Sequence, residues 1–343
     1  MRICCALLLS WLALVPCQAA EWFPVPVIAD GQARDYVPLE RASRPWRVCT
    51  LLPHGIDRYW WGVAWGLSEE AQRQGVQLGI YEAGGYQFPD VQRAQLSRCV
   101  ELGADAFIIG AIEARGLCDE IRQLQQRGTP VIDLVNGIEC AGVTAHSRVD
   151  FADMASVAVA YIRARAGSSP VRIGWLPGPR DAGWVLDAER GVQQAIQGAS
   201  VSLAEGGYGP VDRTTQAELV RRLLTQESHL DYLLGNAEAA AFAASLVKVS
   251  PSRFPTQVVS LYATERVLDE VRQGQVLAAP TDSPVIQARI AMDLAVRALE
   301  HREAATWVSP RIQMLDRAAL DHFDISRLMP PEGHWMIRQE LPE

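Results

Sequence analysis

The order of strands and helices read from this sequence predicts an α/β protein of two lobes, each a parallel sheet flanked by helices. Three observations carry that expectation. From residue 46 onward, short apolar runs alternate with longer stretches whose apolar residues recur every three or four positions. Gly75, Gly103 and Gly128 stand just past three of those stretches, where helices stop. A second alternating set starts near residue 150, and 343 residues at 49% hydrophobic content suffice for two cores.

The first set places strands at 47–52, 76–82, 105–109 and 130–135, and helices at 58–74, 88–102 and 115–127. The second places strands at 171–176, 199–204, 231–235 and 257–261, and helices at 151–166, 183–197, 213–227 and 237–247. A helix at 265–273, a strand at 275–279, a helix at 284–302 and a strand at 307–315 follow. Such alternation implies parallel sheets with right-handed crossovers. Residues 20–45 hold Pro24, Pro26, Pro38 and Pro45 and read as an extended arm. The first lobe is expected to comprise 46–149 plus about 263–304, and the second 150–262 plus about 305–343. No low-complexity tract separates the halves, so several short crossings are expected in place of one linker.

Residues 1–19 read as a secretory signal peptide: Arg2, then the apolar ICCALLLSWLALV, then small residues before a cut. Leu14-Val15-Pro16-Cys17 loosely resembles a lipoprotein box, but Pro16 before the cysteine fits it poorly. The apolar run is too short to span a bilayer, and no later segment reads as a span. A formal charge of −8 without a basic patch argues against nucleic acid as a partner. No CxxC or paired-histidine spacing suggests a metal, and no cofactor motif is present. Outside the leader the cysteines are Cys49, Cys99, Cys118 and Cys140. Cys49 on the first strand and Cys99 on the second helix should pack together, so that pair is a disulfide candidate. Cys118 with Cys140 is a second proposal, and buried free thiols are the alternative, because sequence does not set connectivity.

The candidate site lies in the loops at the carboxyl ends of the strands, where parallel sheets bind ligands. RVCTLLPHGIDRYWWG delivers Asp57, Tyr59 and Trp60 after the first strand, and YEAGGY delivers Tyr86 after the second. Aromatic faces beside a carboxylate suit a small methylated cation. Trp61 and Trp65, four apart, read as core. Asp57 also fits a helix N-cap, and the two roles can coexist. Gly84 and Gly85 permit a tight turn that aims Tyr86. His54 reads as a solvated loop residue.

DRYWWGVAWGLSEEAQRQGV, YEAGGY, LVNGIE, LPGPRDAGW and LYATERV together carry a resemblance. The chain resembles the type I periplasmic binding proteins, the ribose-binding and LacI-like superfamily. Within it the chain is similar to sensors of trimethylamine N-oxide. The resemblance spans about residues 46 to 300 and implies two Rossmann-like lobes with the ligand between them. It implies a small-molecule ligand, trimethylamine N-oxide or a related methylated amine. It also implies a partner, the periplasmic sensor domain of a membrane histidine kinase. By the same resemblance Asp57, Tyr59, Trp60, Tyr86 and Tyr262 would line the site. Phe151, after Asp150, would stand where the family has a tryptophan, keeping an aromatic face without an indole N–H. Arg180 and Asp181 of LPGPRDAGW would line the cleft rim or pair with each other. Asn236 and Asp282 match lobe-closing positions, with capping as the alternative. A receptor delivering a sugar or polar solute to an ABC importer is the other reading of the same fold. No GxSxG, HExxH or paired catalytic constellation favours an enzyme.

Overall fold

The computed structural model describes residues 22–331 and 337–342. The predicted signal peptide, with Cys4, Cys5 and Cys17, lies outside the described residues. The chain opens with β1 (Val25–Ala29) and β2 (Gln32–Tyr36), then β3 (Arg47–Leu52), α1 (Arg58–Gln74), β4 (Gln77–Glu82) and α2 (Pro89–Glu101). It continues through β5 (Ala106–Ile109), α3 (Cys118–Gln126), β6 (Val131–Leu134) and β7 (Ala145–Ser147). The second alternation comprises α4 (Phe151–Ala166), β8 (Val171–Leu176), α5 (Gly183–Ile196), β9 (Val201–Glu205), α6 (Arg213–Gln226), β10 (Tyr232–Gly235), α7 (Ala237–Val249) and β11 (Gln257–Ser260). Then come α8 (Glu265–Arg272), β12 (Ala278–Thr281), α9 (Pro284–Leu299), β13 (Trp307–Pro310), β14 (Gln313–Asp316) and α10 (Arg317–Leu320).

Among the described residues the strands form an eight-stranded sheet, β2-β1-β13-β7-β6-β5-β3-β4, a four-stranded sheet, β11-β10-β8-β9, and the pair β12-β14. β3 to β7 and β8 to β11 pair in parallel, with helices between successive strands except β6 and β7, which a loop joins. β5, β6 and β10 bury every residue, apolar but for Asp133 on β6, as strands covered on both faces do.

Three expectations are corrected. Residues 25–36 are a hairpin rather than a plain extended arm. Val25, Val27 and Ala29 alternate inward on β1, and Asp30-Gly31 turns the chain with both φ positive (47° and 77°), the two-residue turn that matches strand twist. The expected strand 307–315 is two strands in different sheets. β13 pairs with β1 and β7, the chain crosses at 311–312, and β14 pairs with β12. The expected division of the C-terminal third also shifts. α8 and β12 pack beside α7 and β11 of the four-stranded sheet, whereas α9 packs on α1 and the eight-stranded sheet.

After α10 the chain returns to the first sheet. Gly62 on α1 lets the backbone of Leu328 press against the helix; a Cβ there would sit 2.5 Å from the Leu328 carbonyl oxygen. Gln339 then exchanges backbone hydrogen bonds with Ile80 (2.7 and 3.0 Å), covering the edge strand β4. Among the described residues no helix is long and apolar enough to cross a membrane.

Cys49 is bonded to Cys99, tying β3 to α2, and Cys118 to Cys140, tying the start of α3 to the loop after β6. The second bridge closes a separation of 22 residues. Replacing Cys118 and Cys140 by serine should cost about 3 kcal/mol of unfolding free energy, read as a lower urea midpoint at unchanged slope.

Candidate ligand site between the two sheets

The loops at the carboxyl ends of both sheets meet around one cavity. Its lining is His54, Asp57, Tyr59, Trp60 and Tyr86 from the β3 and β4 loops, Val135 and Asn136 after β6, Phe151 and Trp184 from α4 and α5, and Val211 and Tyr262 from loops of the smaller sheet. The space open to the centre of a water-sized sphere is ≈ 20 Å³. Adding the radius of water all round gives a void about 3 Å in radius. That suits a compact group and is smaller than a hexose.

The walls follow from local structure. Asp57 caps α1, its Oδ1 accepting the Trp60 N–H at 3.1 Å, and it also borders the cavity. The next residues, Tyr59 and Trp60, therefore point inward and are buried. Trp60 lies over Gly110, where a Cβ would come within 2.9 Å of its ring. Gly84 and Gly85 hold positive φ (91° and 152°) and swing Tyr86 into the cavity, where its hydroxyl accepts from Asn136 Nδ2 at 3.0 Å. Val135, a β-branched residue at φ 65°, holds an unfavourable backbone shape next to Asn136, the kind of strain that gathers at functional sites. Ring centroids lie 5.6 Å apart for Tyr59–Trp60, 5.8 Å for Tyr59–Tyr262, 5.5 Å for Phe151–Trp184 and 5.7 Å for Trp184–Tyr262. Five aromatic rings from both sheets thus touch in one wall, and Tyr86 joins it through the His54 ring.

Asp57, Tyr59, Trp60, Tyr86, Phe151 and Tyr262 all stand in this lining. The remaining predicted residues lie elsewhere. Asp150 caps α4 through Ala152 N (2.8 Å). Arg180 lies over the Tyr208 ring at 3.9 Å and does not pair with Asp181, whose carbonyl accepts from Ala114 N across the two sheets (3.1 Å). Asn236 caps α7 through Ala239 N (3.1 Å) and is tied to Leu176 and Gln216. Asp282 is buried behind Tyr59, accepting from its hydroxyl and from Gln287 Nε2 (2.7 Å).

Sequence reading missed His54, Asn136 and Trp184. Trp184 sits in the first turn of α5, seated where Gly178 has no Cβ to block it (2.6 Å). Its Nε1–H is sealed from solvent and makes no hydrogen bond, though it leans toward the Tyr86 hydroxyl. The Trp184 ring therefore lines the pocket and packs against Phe151, with its N–H held inside the wall. The LPGPRDAGW segment contained that signal, because a tryptophan just after a Gly/Pro loop sits at a helix entrance.

Burial sets the protonation states. It raises the pKa of the Tyr59, Tyr86 and Tyr262 hydroxyls, so all three remain donors. Burial also raises Asp282, opposed by the hydrogen bonds from Tyr59 and Gln287. It lowers His54, with Asp57 and Glu82 pulling the other way, so the ring is held neutral. No arginine or lysine lines the cavity among the described residues. Aromatic faces, one carboxylate and no competing cation are the recipe for a methylated positive group.

A two-sheet α/β chain with a small aromatic cavity at the switch between its sheets has the form of a solute-binding protein. The chain belongs to the family described as periplasmic binding protein domain, whose model matches residues 49–303. It is 31% identical over 293 residues to periplasmic protein TorT of Escherichia coli K12, covering 85% of this chain and 84% of the relative. Among solved structures, an ABC transporter solute-binding protein from Bradyrhizobium sp. BTAi1 with bound bis-tris is 38% identical, with a TM-score of 0.79 over 92% of this chain and 98% of that one. The complex of the TorS sensor domain with TorT in the presence of TMAO is 28% identical, with a TM-score of 0.74 over 84% of this chain and 98% of that one. The fold is the type I periplasmic binding protein fold.

One titration follows from the buried histidine. A folded state that keeps His54 neutral below the ordinary value of 6.5 binds fewer protons there than the unfolded chain. Its stability is complete above that value and is lost as pH falls below it. Between about pH 7.5 and about pH 5.5, the melting temperature should therefore drop more for the ligand-free wild type than for His54→Gln.

Proposed function

We propose that this protein is a periplasmic sensor. It is exported by its leader, binds trimethylamine N-oxide or a closely similar methylated amine, and reports to the periplasmic sensor domain of a TorS-type histidine kinase that induces TMAO respiration genes. It acts by binding and carries out no catalysis. The observation that carries the reading is the wall of Tyr59, Trp60, Tyr86, Phe151, Trp184 and Tyr262 closing on a void of compact size beside the Asp57 carboxylate. Three methyl groups on a positive nitrogen present electron-poor C–H surface to those rings, each contributing about 0.5–2 kcal/mol. The oxide oxygen needs a donor, and the Tyr86 and Tyr262 side chains, kept protonated by burial, stand in the same lining. The likeness to TorT over 85% of the chain supports the kinase partner.

A second reading, delivery of a polar solute to an ABC importer, is favoured by the Bradyrhizobium relative. Its bound bis-tris is itself a branched tertiary amine, so the two readings share an amine-binding pocket and differ in partner. Calorimetry with trimethylamine N-oxide against a panel of hexoses, then sedimentation with the partner kinase's sensor domain, separates them. Heat with the N-oxide alone and a stable complex are expected. Sugar binding without a complex would remove the sensor reading.

Trp184→Phe cuts two fused rings to one at a buried, packed position. Its melting temperature should fall, and affinity for trimethylamine N-oxide should fall with the lost wall surface. Trp60→Ala and Tyr86→Ala should abolish binding with the fold retained, as read by calorimetry and circular dichroism.

A further inference from the structure

We propose that His54 is a specificity-determining residue of this pocket, donating from Nε2 to the ligand's oxygen so that the site selects an amine oxide over a quaternary ammonium ion without oxygen. The inference rests on the methylated-amine reading above and adds a residue and a discrimination to it.

His54 is 3% exposed and borders the cavity. It follows Pro53 at the end of β3, and its ring edges onto both Trp60 (centroids 6.0 Å apart) and Tyr86 (5.6 Å). Its Nδ1 accepts the N–H of Ile56 at 3.4 Å. A neutral imidazole that accepts at Nδ1 carries its proton on Nε2. Among the described residues no protein acceptor meets Nε2. Nor is Nε2 among the sealed, unpartnered atoms, so it borders open space, and the open space against this residue is the cavity. Burial keeps the ring uncharged against the pull of Asp57 and Glu82, and Glu82 is itself paired with Arg338 (2.5 Å).

One N–H group therefore enters the cavity from the β3 loop, that of His54, whereas the Trp184 Nε1–H is sealed within the wall. A ligand oxygen facing His54 satisfies its donor. An onium ion lacking oxygen gains the same aromatic walls and the same carboxylate but leaves that donor dry, and a buried unpaired donor carries a desolvation cost. Discrimination built on a missing hydrogen-bond partner is steeper than discrimination built on size. The neutral ring matters as well, because a charged imidazolium would put a like charge beside the ligand nitrogen.

The test is calorimetry with trimethylamine N-oxide and with tetramethylammonium on wild type, His54→Gln and His54→Leu, with melting curves confirming the fold of each. The wild type should prefer the N-oxide by at least about tenfold. His54→Gln, whose amide N–H can take the donor's place, should keep most of that preference. His54→Leu should lose about tenfold in N-oxide affinity with tetramethylammonium unchanged or tighter. A ratio in His54→Leu within about twofold of wild type would overturn the inference while leaving the amine-sensor reading intact; should that variant fail to fold, His54→Phe, a ring without a donor, takes its place, and an unchanged ratio there would overturn it equally. If the wild type binds neither compound, the sensor reading falls and this one with it.

Discussion

A single carboxyl group, Asp282, holds the ligand wall and the chain crossings together. It has no exposed surface and stands where the chain passes from β12 to α9. The Tyr59 hydroxyl donates to it from the first sheet's ligand loop, and Gln287 Nε2 donates to both its side chain (2.7 Å) and its carbonyl (2.9 Å). The same Gln287 accepts from Val149 N (3.2 Å), and its own carbonyl accepts from Ser147 Oγ (2.7 Å), both at the other crossing, between β7 and α4. Two crossings and one pocket tyrosine thus share one buried network. Breaking such a buried network is costly, although Asp282 Oδ1 and Ser283 Oγ find no hydrogen-bond partner in it. Ser283, next to Asp282, is held at φ 53°, a strain that packing must maintain.

The same arrangement explains how a few-atom ligand could govern two lobes. The sheets touch through several polar bridges outside the pocket: Arg58 with Glu265 (2.8 Å), Arg148 with Asp187, and Ala114 N with the Asp181 carbonyl. Gly183 comes so close to the carbonyls of Asn136 and Gly137 that a Cβ would lie 2.4 Å from the latter. Arg58 and Glu265 are partly exposed and contribute little, whereas Arg148 and Asp187 are buried, and separating them would leave charge uncompensated. A ligand that touches both sheets adds its affinity to the arrangement in which these contacts are made. Because Tyr59 belongs both to the pocket wall and to the Asp282 network, occupancy and crossing geometry are joined through one side chain.

Much of this was legible in the chain. The helix 58–74, the helix 151–166 and the strand 171–176 fall on their predicted bounds, because strong periodicity and clear caps (Asp57, Gly75, Asp150) mark them. Six pocket residues were found from two aromatic-rich loops and the family resemblance. What was missed has physical causes. Prolines masked the alternation of β1 and its Asp-Gly turn. The stretch 307–315 alternates apolar and polar residues almost without a break, which concealed a crossing at Arg311–Ile312. β7 has only three residues, too short for a period to register. His54 looked solvated because a loop histidine usually is, and its burial comes with the packing of Trp60 and of Tyr86 from the next loop.

The position of Trp184 carries the most weight for ligand chemistry. Phe151 at the first crossing and Trp184 at the start of α5 pack with centroids 5.5 Å apart, one ring from each of two helix entrances. Geometry of this kind constrains a ligand more tightly than any single side chain does. Against an association cost of at least about 4 kcal/mol, six weak ring contacts suffice only for a ligand that meets most of them at once, which ties selectivity to the shape of the whole wall.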